Sequence, residues 1–145
     1  MKRKGLVSAI AVAGAIVGSS VALAPAASAD ETATICGSSY HTVYGPYSTY
    51  TNTGTFAGNV YISYNSSNGY NCAYSTVSAA TKGYYRDIVL ESQAGDSSPS
   101  DSGYFNSFAG PVYLRAPGKC VKAAGYVTTP AGSDDWFDTG WHACG

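Results

Sequence analysis

An all-β domain, a small antiparallel β-sandwich or barrel-like fold of six or seven short strands with two disulfides, is the architecture that the sequence predicts. Three observations predict it. Past residue 29 the chain is rich in Thr and Tyr, with Val and some Ile, and punctuated by Gly, Asn, Ser and Pro, a composition that favours short strands and turns. Its apolar residues do not recur at helical spacing. Its four cysteines, Cys36, Cys72, Cys120 and Cys144, follow an export signal, and an even count in an exported chain reads as a disulfide framework.

The export signal comes first in the chain. Met1-Lys2-Arg3-Lys4 is a basic head, Gly5 to Ala24 is apolar, and Ala27-Ser28-Ala29 offers small residues to a signal peptidase. These are the parts of a secretory signal peptide. Gly14, Gly18, Ser19 and Ser20 interrupt the apolar run, which argues against a retained membrane anchor. Residues 1–29 are therefore expected to be cleaved, leaving residues 30–145 as a single disulfide-stapled β domain. Removal of 29 from 145 residues leaves 116, enough for one domain with a modest core.

Five basic residues remain after cleavage (Lys82, Arg86, Arg115, Lys119 and Lys122) against nine acidic ones, a net charge of −4. Scattered lysines on an acidic domain leave no electrostatic footprint for nucleic acid and no polybasic patch for a membrane. All 13 Tyr, 4 Phe and 2 Trp lie after residue 29, an aromatic loading that argues against disorder.

The strands follow in order. Gly58 to Tyr64 alternates, with Val60, Ile62 and Tyr64 on one face. Asn65-Ser66-Ser67-Asn68-Gly69 is a turn, in which Asn68-Gly69 suits positive φ, and Tyr70 to Val77 returns as the second strand of a hairpin. A third strand is expected over Gly83 to Glu91, where Ile88-Val89-Leu90 is the most apolar patch. Ser92 to Gly103 reads as a polar surface loop. Tyr104 to Arg115 reads as a strand interrupted at Gly110-Pro111, because proline removes a ladder donor; Val112 and Leu114 should point inward, Tyr113 and Arg115 outward. Ala116 to Lys119 is a turn, Cys120 to Val127 a strand, Thr128 to Asp135 a loop, and Trp136 to Cys144 closes the domain.

Three cysteine pairings are open. Cys36–Cys72 and Cys120–Cys144 are favoured because each closes a local loop within one half of the domain, with Cα atoms expected about 4.4–6.8 Å apart. No Cys-x-x-Cys is present, so no metal ligand set is expected.

No catalytic pattern stands out. The two histidines, His41 and His142, lie in no nucleophile motif, and Gly-x-Ser-x-Gly is missing. Asp134, Asp135 and Asp138 share one short segment with Trp136 and read as a solvated acidic loop; a calcium loop or a glycosidase pair is the sharper alternative. Tyr40, Tyr44, Tyr47 and Tyr50 recur at spacings that fix no single strand face. Tyrosine rings can cover a sparse core or form a contact platform.

Several ordered segments resemble the spore-associated protein A family. These are Cys36-Gly37 with Tyr40, Gly58 to Asn65, Gly69-Tyr70-Asn71-Cys72-Ala73, Phe108 to Tyr113, Gly118-Lys119-Cys120-Val121 and Gly140 to Gly145. The Tyr44 to Phe56 segment is longer and richer in tyrosine than the family pattern, and Lys122-Ala123-Ala124 stands where that pattern has a tryptophan. The resemblance implies a secreted protein associated with spores or aerial structures, and it implies no established catalytic residues; no cofactor is expected. The function expected is thus that of a secreted, non-enzymatic protein at the spore or cell surface, with spore-surface or cell-wall glycan as partner. The alternatives are a glycan-binding module using Trp136, Trp141 and Tyr113, or an inhibitor or toxin-like effector.

Overall fold

A computed structural model describes residues 26–144. The expected leader lies outside these residues except for its last four, which enter a helix. That helix, α1 (Ala26–Ile35), is followed by eight strands: β1 (His41–Tyr50), β2 (Phe56–Asn65), β3 (Tyr70–Thr76), β4 (Tyr85–Ser92), β5 (Asp101–Tyr104), β6 (Phe108–Arg115), β7 (Val121–Thr128) and β8 (Asp134–Asp138). A 3-10 turn at Ala79–Thr81 links β3 to β4. All pairings are antiparallel and form two four-stranded sheets, in the orders β1-β2-β3-β6 and β5-β4-β7-β8. The fold is an all-β sandwich.

Alternation builds the core. Val60 and Ile62 of β2, Ala73 of β3, and Val112 and Leu114 of β6 meet Ile88 and Leu90 of β4 and Val121 and Ala123 of β7 between the sheets. Tyr113 and Arg115 face outward, as expected. The hairpin turn is tied by Asn65, whose Oδ1 accepts from the Ser67 amide at 3.0 Å and the Ser67 hydroxyl at 2.6 Å, the self-bonding that makes Asn a turn former.

Arg86 is the largest fully buried side chain. It is the second residue of β4 and reaches across the sandwich. Nη1 donates to the Thr76 carbonyl at 2.9 Å, and Nη2 donates to the Ala57 carbonyl at 3.3 Å and to Thr81 Oγ1 at 2.9 Å. Burial lowers its pKa to about 10, which still leaves it cationic at neutral pH. Three neutral acceptors stand in for the water it has lost.

Four expectations are corrected. The strands number eight, because the Tyr44–Tyr50 segment forms β1 and because Tyr104 and Phe108 belong to different strands in different sheets. Gly110-Pro111 does not interrupt its strand: β6 runs through it, with a register shift against β3 between Ala73 and Ser75. β6 is an edge strand, where a missing amide donor leaves no neighbour unpaired. Gly110 takes φ 96°, and a Cβ there would stand 2.7 Å from the Ala73 carbonyl oxygen, so only glycine fits the bulge. Asp134, Asp135 and Asp138 lie on strand β8 and not in a loop, because β8 pairs with β7 from Ala124–Asp138 to Thr128–Asp134. Finally, a helix covers residues at which helical signals are weak, since its packing on the first sheet stabilises it.

Both cysteine pairs close as favoured. Cys36–Cys72 has a Cα separation of 6.1 Å and Cys120–Cys144 of 3.8 Å. The second is shorter than expected because Val121 and His142 form a β-bridge, exchanging two amide bonds of 2.8 Å, which draws Cys144 beside Cys120.

Candidate functional site

The two outer faces of the sandwich differ. The first sheet is covered. Cys36, Tyr61, Cys72 and Tyr74 form a buried cluster there, with Ile35 and Tyr40 packed against it. Tyr61 and Tyr74 stack at 5.1 Å. The Tyr74 phenol pairs with Thr32 Oγ1 of α1 at 2.9 Å, and burial pushes its pKa up to about 12.

The outer face of the second sheet carries no such cover among the described residues. Along β4, Tyr85, Asp87 and Val89 point out while Arg86, Ile88 and Leu90 point in; along β7, Ala124, Tyr126 and Thr128 point out. Register then decides which outward side chains meet. Tyr85 pairs with Tyr104 of β5, Asp87 pairs with Tyr126, and Tyr126 pairs with Trp136 of β8. Tyr85 and Tyr126 are thus diagonal neighbours, within reach for aromatic rings.

The result is an oblique stripe of four rings across all four strands. Its consecutive centroids are 5.2 Å (Tyr104–Tyr85), 6.2 Å (Tyr85–Tyr126) and 4.7 Å (Tyr126–Trp136) apart. The central pair is near-parallel at 24°, Tyr104 stands edge-on at 80° to Tyr85, and Trp136 is tilted by 48°. The outermost rings, Tyr104 and Trp136, are 77% and 72% exposed. Gly125 sits beneath the stripe, where a Cβ would stand 2.0 Å from the Asp87 carbonyl oxygen and 2.9 Å from the Phe137 ring. A larger residue there would push β7 away from β4 and part Tyr126 from Tyr85.

Polar groups flank the rings. Asp134 accepts from the Thr128 hydroxyl at 2.6 Å. Partial burial raises the Asp87 carboxyl, a rise that a hydrogen bond with Ser100 opposes. The Tyr126 phenol is also raised, first by desolvation, then by the Tyr85 phenol and the Asp87 and Asp134 carboxylates.

One end of the stripe opens into two joined clefts. The first, of about 320 Å³, is lined by Tyr85, Tyr104 and Thr128. It shares Tyr84, Thr129 and Pro130 with a second of about 380 Å³, lined by Thr51, Asn52, Thr53, Thr55 and Ser133. The two loops that form the second cleft are tied where Asn52 Nδ2 donates to Ser133 Oγ at 2.8 Å.

Of the aromatic residues singled out in the sequence, Trp136 ends the stripe. Trp141 lies further along, under the Lys122 ammonium at 5.2 Å. Lys122 is also held by Asp138 at 2.6 Å and Glu91 at 3.2 Å, and these carboxylates raise its pKa. Tyr113 is on the other sheet. It packs against Tyr40, and its phenol donates to the Cys36 carbonyl at 3.0 Å, which makes it part of the cover and not of a platform. His41 is exposed beside Tyr40 and Thr42. His142 stacks on Tyr44 at 3.5 Å, with Nε2 2.8 Å from the Thr139 carbonyl oxygen. Among the described residues no group of three or more His, Cys, Asp or Glu is placed to hold a metal ion.

Sequence reasoning missed Tyr85, Tyr104 and Tyr126. The available signal was alternation: Tyr85 is followed by inward Arg86, and Tyr126 lies between inward Gly125 and Val127.

No family model matches the chain, and no solved structure does. Spore-associated protein A of Streptomyces coelicolor is 32% identical over 108 residues, a match covering 72% of this chain and 66% of that protein's length. On the strength of this match the chain belongs to the spore-associated protein A family.

Proposed function

We propose that the protein is exported, loses residues 1–29, and acts without catalysis as a binding protein at the spore or cell surface. The observation that carries this reading is the bare aromatic face of the second sheet on a domain closed by two disulfides. A row of exposed large rings on a water-soluble domain is a binding surface, and disulfides suit an oxidising, extracytoplasmic compartment. The relative named for spore association supports the location. Cleavage after Ala29 is compatible with the fold: Thr32, Ile35 and Cys36, which contact the first sheet, all lie beyond it.

The test is fractionation of sporulating cultures producing the tagged full chain. The expected result is a form beginning at Asp30, retained on washed spores or cell walls. Recovery of the intact precursor inside cells, or of a processed form wholly free in the medium, would overturn the reading.

A further inference from the structure

We infer that the stripe Tyr104–Tyr85–Tyr126–Trp136 is a docking track for an uncharged, extended polysaccharide chain, one end of which enters the hydroxyl-lined cleft beside Tyr85. The inference rests on the surface-association reading and names its partner.

Three observations select this occupant. The first is shape. Ring centroids follow one another at 5.2, 6.2 and 4.7 Å across the whole width of the sheet. A pyranose ring with equatorial hydroxyls presents a flat C–H face to an aromatic ring, and a linear chain of such sugars presents one face after another. The turn from near-parallel central rings to tilted outer ones suits a chain that twists along its length.

The second is charge. The carboxylates placed beside the rings by strand register are Asp87, Asp134 and Asp138. The cation on this face, Lys122, is four residues from Tyr126 and already shared by Asp138 and Glu91. An anionic polymer such as a teichoic acid or a nucleic acid would meet uncompensated carboxylates. A neutral sugar would instead donate hydroxyl protons to them, a charge-assisted bond stronger than a neutral one.

The third is the cleft. The polar groups lining its far part, Thr51, Asn52, Thr53, Thr55 and Ser133, are uncharged hydroxyls and one amide, set among the apolar surfaces of Pro130 and Ala131. Each can both donate and accept, which matches the dual character of sugar hydroxyls. Thr51 pairs with Thr53 at 2.9 Å and Asn52 with Ser133 at 2.8 Å, and the hydroxyl oxygens keep lone pairs that can accept from a ligand.

The test uses the secreted protein purified from culture supernatant. Binding is measured to insoluble cellulose and chitin, and by titration calorimetry to cello- and chito-oligosaccharides. Teichoic acid is run in parallel, and sedimentation over a range of protein concentrations reports self-association. The expected result is saturable binding to at least one neutral polymer, weakened about tenfold or more by Trp136→Ala or Tyr104→Ala. Both rings are largely exposed, so the variants should keep the parent melting temperature. Trp141→Ala should leave binding unchanged. No binding to any of the neutral polymers, preference for teichoic acid, binding indifferent to both stripe variants, or a dimer lost on Trp136→Ala would each overturn the inference. The two readings fail separately. Spore retention without neutral-glycan binding sinks the inference alone; glycan binding without spore or wall retention sinks the surface reading alone.

Discussion

The covered and bare faces of this sandwich use the same residue type in opposite ways. On the first sheet Tyr61 and Tyr74 are buried, stacked and closed over by α1 and the Cys36–Cys72 disulfide. On the second sheet Tyr85 and Tyr126 are half-buried, and Tyr104 and Trp136 stand in solvent. An aromatic ring contributes to stability when other protein atoms surround it and is available for recognition when they do not. The difference between the faces is one short segment of chain, α1 and Cys36, that lies over one sheet and has no counterpart over the other among the described residues.

Replacing Cys36 and Cys72 together by Ala tests that contrast most severely. A loop of 36 residues would lose about 4 kcal/mol of stabilisation on the chain-entropy model. Urea denaturation should show this loss, along with new exposure of the Tyr61–Tyr74 pair to solvent perturbation. A midpoint unchanged from the parent would remove the covered face as a source of stability.

Tyr74→Ala should cost nearly as much. The ring is fully buried, and truncation of a buried aromatic costs about 3–5 kcal/mol. Substitution of Tyr85 on the bare face should cost clearly less, and equal losses would erase the distinction between the faces.

The pH dependence of Tyr74 is a finer probe. Its folded pKa is raised to about 12, first by burial, above the unfolded value of about 10. The neutral phenol is therefore favoured in the fold. The associated stability is fully present below pH ~10 and is lost as pH rises through about 12. Tyr74→Phe should be less stable at neutral pH by about 1 kcal/mol, through loss of the bond to Thr32, yet should decline less steeply between pH ~10 and ~12. Parallel curves for the two proteins would refute this account.

Trp136→Ala should have the smallest effect. At 72% exposure the ring contributes little to folding, and the change should lie within about 0.5 kcal/mol. A loss several times larger would mean that the ring is part of the fold and that its exposure is incidental.

How much of this was legible in the sequence depended on how local the determining interaction is. The β2–β3 hairpin could be read because Val60 and Ile62 alternate with polar neighbours and Asn68-Gly69 follows at once. Strand β1 resisted because its pairing with β2 shifts register between Thr42 and Tyr44, between Tyr44 and Tyr47, and between Thr49 and Tyr50; each shift moves its tyrosines off a single alternating face. Strand β8 reads as an acidic loop in the sequence because Asp134, Asp135 and Asp138 have low strand propensity. Its pairing with β7 and the burial of Phe137 outweigh that preference. Trp136 could be singled out as a lone aromatic among acids, but its three partners could not.

The sequence by itself determined the all-β class, the central hairpin and the inward set of β6 and favoured the two short-range disulfides, because composition, alternation and loop length act within a few dozen residues. Only the tertiary structure decided that Tyr104, Tyr85, Tyr126 and Trp136 stand in one row while Tyr113 lies on the opposite sheet. The physical reason is register: these residues come from four separate strands, and a slip of one residue in any pairing would turn a ring to the other face.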